Sequence, residues 1–181
     1  MLRELPLAPW AGRRREDLLK LRSELDDKIG LLDQAAEEAA TKHEKARLLM
    51  TQPGVGPITS LAFVLTIGDV SRFPRGKQVA SYLGLIPREY SSGGKQRFGS
   101  ISKQGNRFMR MLLVEAAQIA VRCDPQMRSE YLHRCHHKPK GVAKVAAARK
   151  LAIRLYWMLK SNTGYPEVVR AGSSPRVPLT A

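Results

Sequence analysis

The run Ser91-Ser92-Gly93-Gly94-Lys95-Gln96-Arg97 carries the residue types best suited to chemistry in this sequence. A serine ahead of two glycines can stand on an exposed turn that a phosphate approaches without steric obstruction. Arg88, Lys95, Arg97 and Lys103 are near enough in sequence to neutralise that phosphate and the charge developing on it. A serine nucleophile also needs a proton acceptor, and apart from Glu89 no His or carboxylate is its sequence neighbour. Residue types alone therefore favour a phosphate-binding loop over a self-sufficient catalytic serine.

Three further stretches bear on chemistry. In Ser100-Ile101-Ser102-Lys103-Gln104-Gly105-Asn106-Arg107, Asn106 suits a helix N-cap, and Lys103 and Arg107 suit a backbone phosphate. Pro53-Gly54-Val55-Gly56-Pro57 separates two helical patterns, the layout of a helix-hairpin-helix in which Gly54 and Gly56 let the backbone approach a phosphate. A purely structural turn fits a lone Gly-x-Gly equally well. His133-Arg134-Cys135-His136-His137, with Cys123 upstream, matches no closed zinc ligand set. It reads instead as a polar, basic connector running into Lys138, Lys140 and Lys144, all suited to nucleic acid. Acidic residues are scarce after position 50, so no carboxylate cluster could hold a pair of Mg²⁺ ions.

The elements that must position these residues are mainly α-helical. Leu18, Leu25, Leu32, Ala39 and Ala46 recur every seven residues, predicting one long helix over 13–50 after an N-terminal segment 1–12. That helix is either a coiled-coil arm pairing with another copy or a surface helix of its own domain. Helices are predicted over 58–67, 75–85, 106–122 and 142–160, with another opened by Asp124-Pro125. Residues 88–106 lack helical periodicity and read as a long loop or a short hairpin with Tyr90 and Phe98 in strands. Together 51–161 form a compact domain, and 162–181 read as a flexible tail.

Charge shows where a partner binds. The 181 residues hold 31 Lys and Arg against 16 Asp and Glu, a net charge of +15. Residues 1–50 carry 10 basic and 10 acidic side chains, whereas 51–181 carry 21 basic and 6 acidic. The whole excess thus sits on the domain after the long helix, implying a polyanionic partner bound with strong salt dependence. Two cysteines give no disulfide framework, and no apolar run suits a signal peptide or a membrane span. A cytoplasmic setting is expected.

Three segments in order (PGVGPITSLAFVLTIGD, then RFPRGKQVASYLGLIPREYSSGGKQRFGSISKQGNRFMRMLLVEAA, then HKPKGVAKVAAARKLAIRLYWML) resemble the C-terminal domain of insertion-sequence transposases of the 110/116/902 family. The resemblance runs from about Leu48 to Lys160. It implies DNA recombination in which a serine of this domain attacks a phosphodiester. The family's Ser-Gly element falls on Ser92-Gly93, which makes Ser92 the implied nucleophile and Ser91 its alternative. Also implied are DNA, an element-encoded guide RNA, and a RuvC-like N-terminal domain that carries the acidic Mg²⁺ site. The chain is expected to lack that domain and to bind no cofactor by itself. A non-catalytic DNA- or RNA-binding remnant is the alternative.

Overall fold

The computed structural model describes residues 8–91 and 97–170. They form two compact units, divided between Glu38 and Ala39. The first unit is the greater part of helix α1 (Pro9–Lys42). Leu18, Leu21, Leu25, Ile29 and Leu32, the apolar seam of this helix, are exposed among the described residues. The single helix expected over 13–50 is in fact two. At His43 the backbone turns extended, and α2 (Glu44–Met50) starts afresh. The heptad pattern runs through this break because Ala39 and Ala46 fit a seam without specifying one, and Ala46 is buried in the second unit.

The second unit packs α2, α3 (Pro57–Ile67), α4 (Gly76–Tyr82), α5 (Arg107–Cys123), α6 (Pro125–His137), α7 (Lys140–Ser161) and α8 (Tyr165–Arg170), with a 3₁₀ turn at Val70–Arg72. Strands β1 (Pro87–Glu89) and β2 (Phe98–Ile101) pair antiparallel, so residues 88–106 contain a hairpin rather than an unbroken loop. α7 is the axis, lying against α4, α5 and α6. Ala116, Ala117 and Ala120 on α5 and Ala148 and Ala152 on α7 are buried, and these small side chains let the two helices approach closely. Phe63, Leu113, Leu151, Leu155 and Tyr156 fill the space around them.

Two caps predicted from sequence set the helix starts. Asn106 accepts the Met109 N–H at 3.1 Å, and Asp124 accepts that of Met127 at 2.9 Å. Asp124 also pairs with Arg154, and both are almost wholly buried. Burial alone would raise the Asp124 carboxyl, but the Met127 N–H and the Arg154 guanidinium outweigh it and hold the group below its ordinary value. The Arg154 guanidinium further meets Gln52 and Gln126, so one side chain ties the α2–α3 turn to α6 and α7.

The chain end also differs from expectation. Residues 165–170, read as part of a flexible tail, form α8. Its Tyr165 N–H donates to Thr51 Oγ1 at 2.9 Å, and Val168 is buried. The breakers nearby hide this short helix, whose two anchors, Tyr165 and Val168, are too few to make a periodicity. Among the described residues no helix is long and apolar enough to cross a membrane.

Candidate functional site

The hairpin rises from a knot of backbone. α4 ends in a Schellman-type turn: the Leu85 N–H reaches Ala80 O at 2.9 Å, and Gly84 takes φ +68°. A Cβ on Gly84 would collide with the Gln104 backbone, and one on Gly105 (φ +75°) with the Tyr82 carbonyl. The two turns therefore interlock main chain against main chain, an approach only glycine permits. Lys103 adopts φ 57° between them, and its N–H donates to Gly84 O at 3.2 Å. Arg110 of α5 fastens the knot, donating to the carbonyls of Leu83 (3.3 Å), Gln104 (2.6 Å) and Gly105 (3.1 Å).

From this base the ladder continues outward. The Ser102 N–H meets Ile86 O at 2.8 Å, Pro87 pairs with Ile101, and Glu89 with Phe98 across an irregular step. The Tyr90 N–H closes on Arg97 O at 2.8 Å. The Tyr90 ring lies over Gly99, where a Cβ would stand 2.9 Å from Tyr90 Cε2. Ser91 completes the clasp: its hydroxyl donates to Glu89 Oε1 at 2.5 Å and accepts the Arg97 N–H at 3.4 Å. Ser92 and Lys95 lie in 92–96, outside the described residues. The described clasp is what flanks them.

The remaining predicted residues fall into three places. Arg88, Arg97, Lys103, Asn106 and Arg107 are all exposed on or beside the hairpin, with the Arg88 guanidinium donating to Ser102 O at 3.2 Å. Lys138 and Lys140 are exposed at the α6–α7 corner. Gly141 and Val142 at the start of α7 line a hollow of about 340 Å³ with Pro87, Gly99 and Ile101 of the hairpin. That hollow brings the second basic stretch to the first. Lys144 instead lines a separate hollow with Arg122 and Tyr131. Gly54 is elsewhere, at φ +86° with its Cα against the α5 backbone at Ala116 and Ala120. Its missing side chain allows that helix contact. Gly56 is open to space on the side a Cβ would occupy, and it caps α3.

The stretch 133–137, read as a connector, is the last part of α6, with the His133 and His137 rings 5.3 Å apart in an edge contact. Among the described residues no group of three or more His, Cys, Asp or Glu side chains could hold a metal ion. The described residues thus offer no carboxylate set for a Mg²⁺ centre. Sequence reasoning also missed Arg110. Its spacing from Gly105 does not show that it binds three carbonyls, and only the fold brings Leu83 beside it.

Residues 46–132, which include the knot, the hairpin and α5, match the family described as Transposase IS116/IS110/IS902. A probable family 20 transposase of Pseudomonas aeruginosa is 34% identical over 165 residues, covering 87% of this chain and 49% of the relative. The transposase for insertion sequence element IS1328 of Yersinia enterocolitica is 32% identical over 181 residues, covering 90% and 52%. That for IS1111A of Coxiella burnetii is 35% identical over 97 residues, covering 54% and 27%. The chain spans about half the length of the first and second of these relatives, and less of the third. By the family match and by relatives aligned over most of its length, this chain belongs to the IS116/IS110/IS902 transposase family.

Proposed function

We propose that this chain binds DNA during transposition and supplies the serine that cleaves it, with Ser92 as nucleophile. The observation that carries the reading is the clasped hairpin, whose rim is ringed by exposed cations and whose base is locked by Arg110. Ser91 spends its proton on Glu89 and a lone pair on the Arg97 N–H. The family's Ser-Gly element, which falls on Ser92-Gly93, supports Ser92 as the attacking group; Ser91, whose hydroxyl already has a carboxylate acceptor in Glu89, is the alternative.

In the proposed step the serine Oγ bonds to the phosphorus and loses its proton to a base. The bond from phosphorus to one deoxyribose oxygen breaks, and that oxygen leaves as a hydroxyl. The phosphodiester is conserved as a serine ester, so another DNA hydroxyl can reverse the step and join a new strand. Arg88, Arg97, Lys103 and Arg107 offset the phosphate's charge.

The base and the Mg²⁺ belong to a RuvC-like domain with which this one acts. An element-encoded guide RNA selects the target. The exposed leucine seam of α1 pairs with another copy of the chain, and the setting is the bacterial cytoplasm on nucleoid DNA. The test is strand transfer with a RuvC-like domain supplied. Ser92→Ala lowers the rate about 10⁴-fold or more, and Ser91→Ala by about 10-fold or less, the scale of one lost hydrogen bond. Transfer that survives Ser92→Ala overturns the assignment. Salt-dependent binding with no transfer by the unaltered chain favours a binding remnant.

A further inference from the structure

α7 leaves one lengthwise stripe open: Val142, Val145, Ala146, Arg149, Ile153 and Trp157 recur at helical spacing, and none is buried. The first half of this stripe floors the apolar hollow beneath the hairpin. The second half floors another hollow, of about 240 Å³, with Lys150 on its edge and Arg134 of α6 as its wall. Ala146 and Arg149 line both, so the two form one groove leading away from the hairpin. From Gly141 to Trp157 it runs about 24 Å, at about 1.5 Å of helix per residue.

Its character changes along that length. The hairpin end is apolar, whereas the far end gathers Arg134, Arg149, Lys150 and Arg154 around the Trp157 indole. Two of these cations are engaged: Arg154 with Asp124, and Lys150 with Glu130. Among the described residues, Arg134 and Arg149 form no ion pair. Trp157 meets the Tyr156 ring edge-on, with ring centroids 5.1 Å apart, and Lys160 Nζ lies 5.5 Å from its ring centroid, adding a further cation at this end.

Unpaired cations beside an apolar floor that ends in a half-exposed aromatic ring match the chemistry of a single nucleic-acid strand. The cations follow the phosphates, and an unstacked base lies against the ring. A duplex keeps its bases stacked inside and cannot offer one to the floor. We infer that this groove binds single-stranded nucleic acid, with the backbone on Arg134 and Arg149 and a base at Trp157, and leads the strand toward the hairpin. The inference rests on the nucleic-acid reading of the domain and adds a surface and a strand state to it.

Fluorescence anisotropy of the full chain with labelled oligothymidylate, oligouridylate and a duplex of equal length tests it. Arg134→Ala and Arg149→Ala are each expected to reduce the slope of log affinity against log salt for a single strand by about 0.7. Arg149→Glu and Trp157→Ala are each expected to weaken binding about 10-fold, and Trp157→Phe, which keeps an aromatic face and much of the packing, to recover most of that loss. Lys45→Ala, which removes a charge on α2 outside the groove, is the control. The oligothymidylate and oligouridylate arms tell DNA from RNA.

Single-strand binding by the parent chain with Arg149→Glu no weaker than Lys45→Ala overturns the groove and leaves the transposition reading standing. A duplex bound more tightly than a single strand, and equally sensitive to Arg149→Glu, overturns the strand state. A parent chain that binds no nucleic acid overturns both readings.

Discussion

The helical frame and the hairpin it carries are built on opposite terms. In the frame, key polar groups are buried with partners: Arg154 meets Asp124, Gln52 and Gln126, and Tyr156 donates to Phe73 O at 2.6 Å. In the hairpin, every described residue from Arg88 to Ser91 and from Arg97 to Ser100 is exposed. Its order comes from the ladder, the Glu89–Ser91–Arg97 clasp and the knot at its base. The difference separates stability from chemistry. The buried frame fixes where the hairpin stands, while the hairpin's described residues stay exposed to solvent.

The strongest way to break this contrast is to strike the frame. Arg154→Ala leaves the Asp124 carboxylate buried without its partner and is expected to cost about 3–5 kcal/mol in urea unfolding. A loss near zero would mean that water already reaches the pair. Gly84→Ala strikes the knot, placing a side chain at φ +68° and against the Gln104 backbone. Its expected cost is about 1–3 kcal/mol. Hydrogen exchange should localise that loss to β1, β2 and the Gly84–Gly105 turns, sparing α5 and α7; uniform loosening would show that knot and frame are one unit.

Acid sharpens the same distinction. The Asp124 carboxyl is depressed in the folded state, so its contribution is fully present above the unfolded value of about 3.9. It is lost as pH falls through the lower, folded value. Thermal midpoints are expected to fall below about pH 4, and Asp124→Asn, which keeps the N-cap acceptor, should flatten that part of the acid limb. The smallest effect belongs to the hairpin. Glu89→Gln should change global stability by less than about 0.5 kcal/mol while speeding exchange of the Arg97 amide that Ser91 holds. A large global loss would place the clasp inside the frame.

The sequence was most informative where a local rule decides. Asn106 and Asp124 could be read as caps because capping depends on residues three apart, and the alanine-rich stripes of α5 and α7 could be read from their period. What could not be read depends on distant partners. Gly54 in isolation fits a phosphate turn and a structural turn equally, and its packing against α5 becomes visible only in the fold. The break at His43 has no proline or glycine to announce it. The α7 groove joins hairpin residues to positions some fifty residues later, and Arg149 looks like any exposed cation until β2 and α6 stand beside it.

The central claim is the proposal that Ser92 is the attacking serine, and covalent trapping tests it most directly. The full chain would be incubated with labelled DNA and a RuvC-like domain from a family member, then denatured and mapped by peptide mass spectrometry. The expected result is a DNA phosphate esterified to Ser92, absent in Ser92→Ala and retained in Ser91→Ala. An adduct outside 91–92, or strand transfer that persists when both serines are replaced, would contradict it.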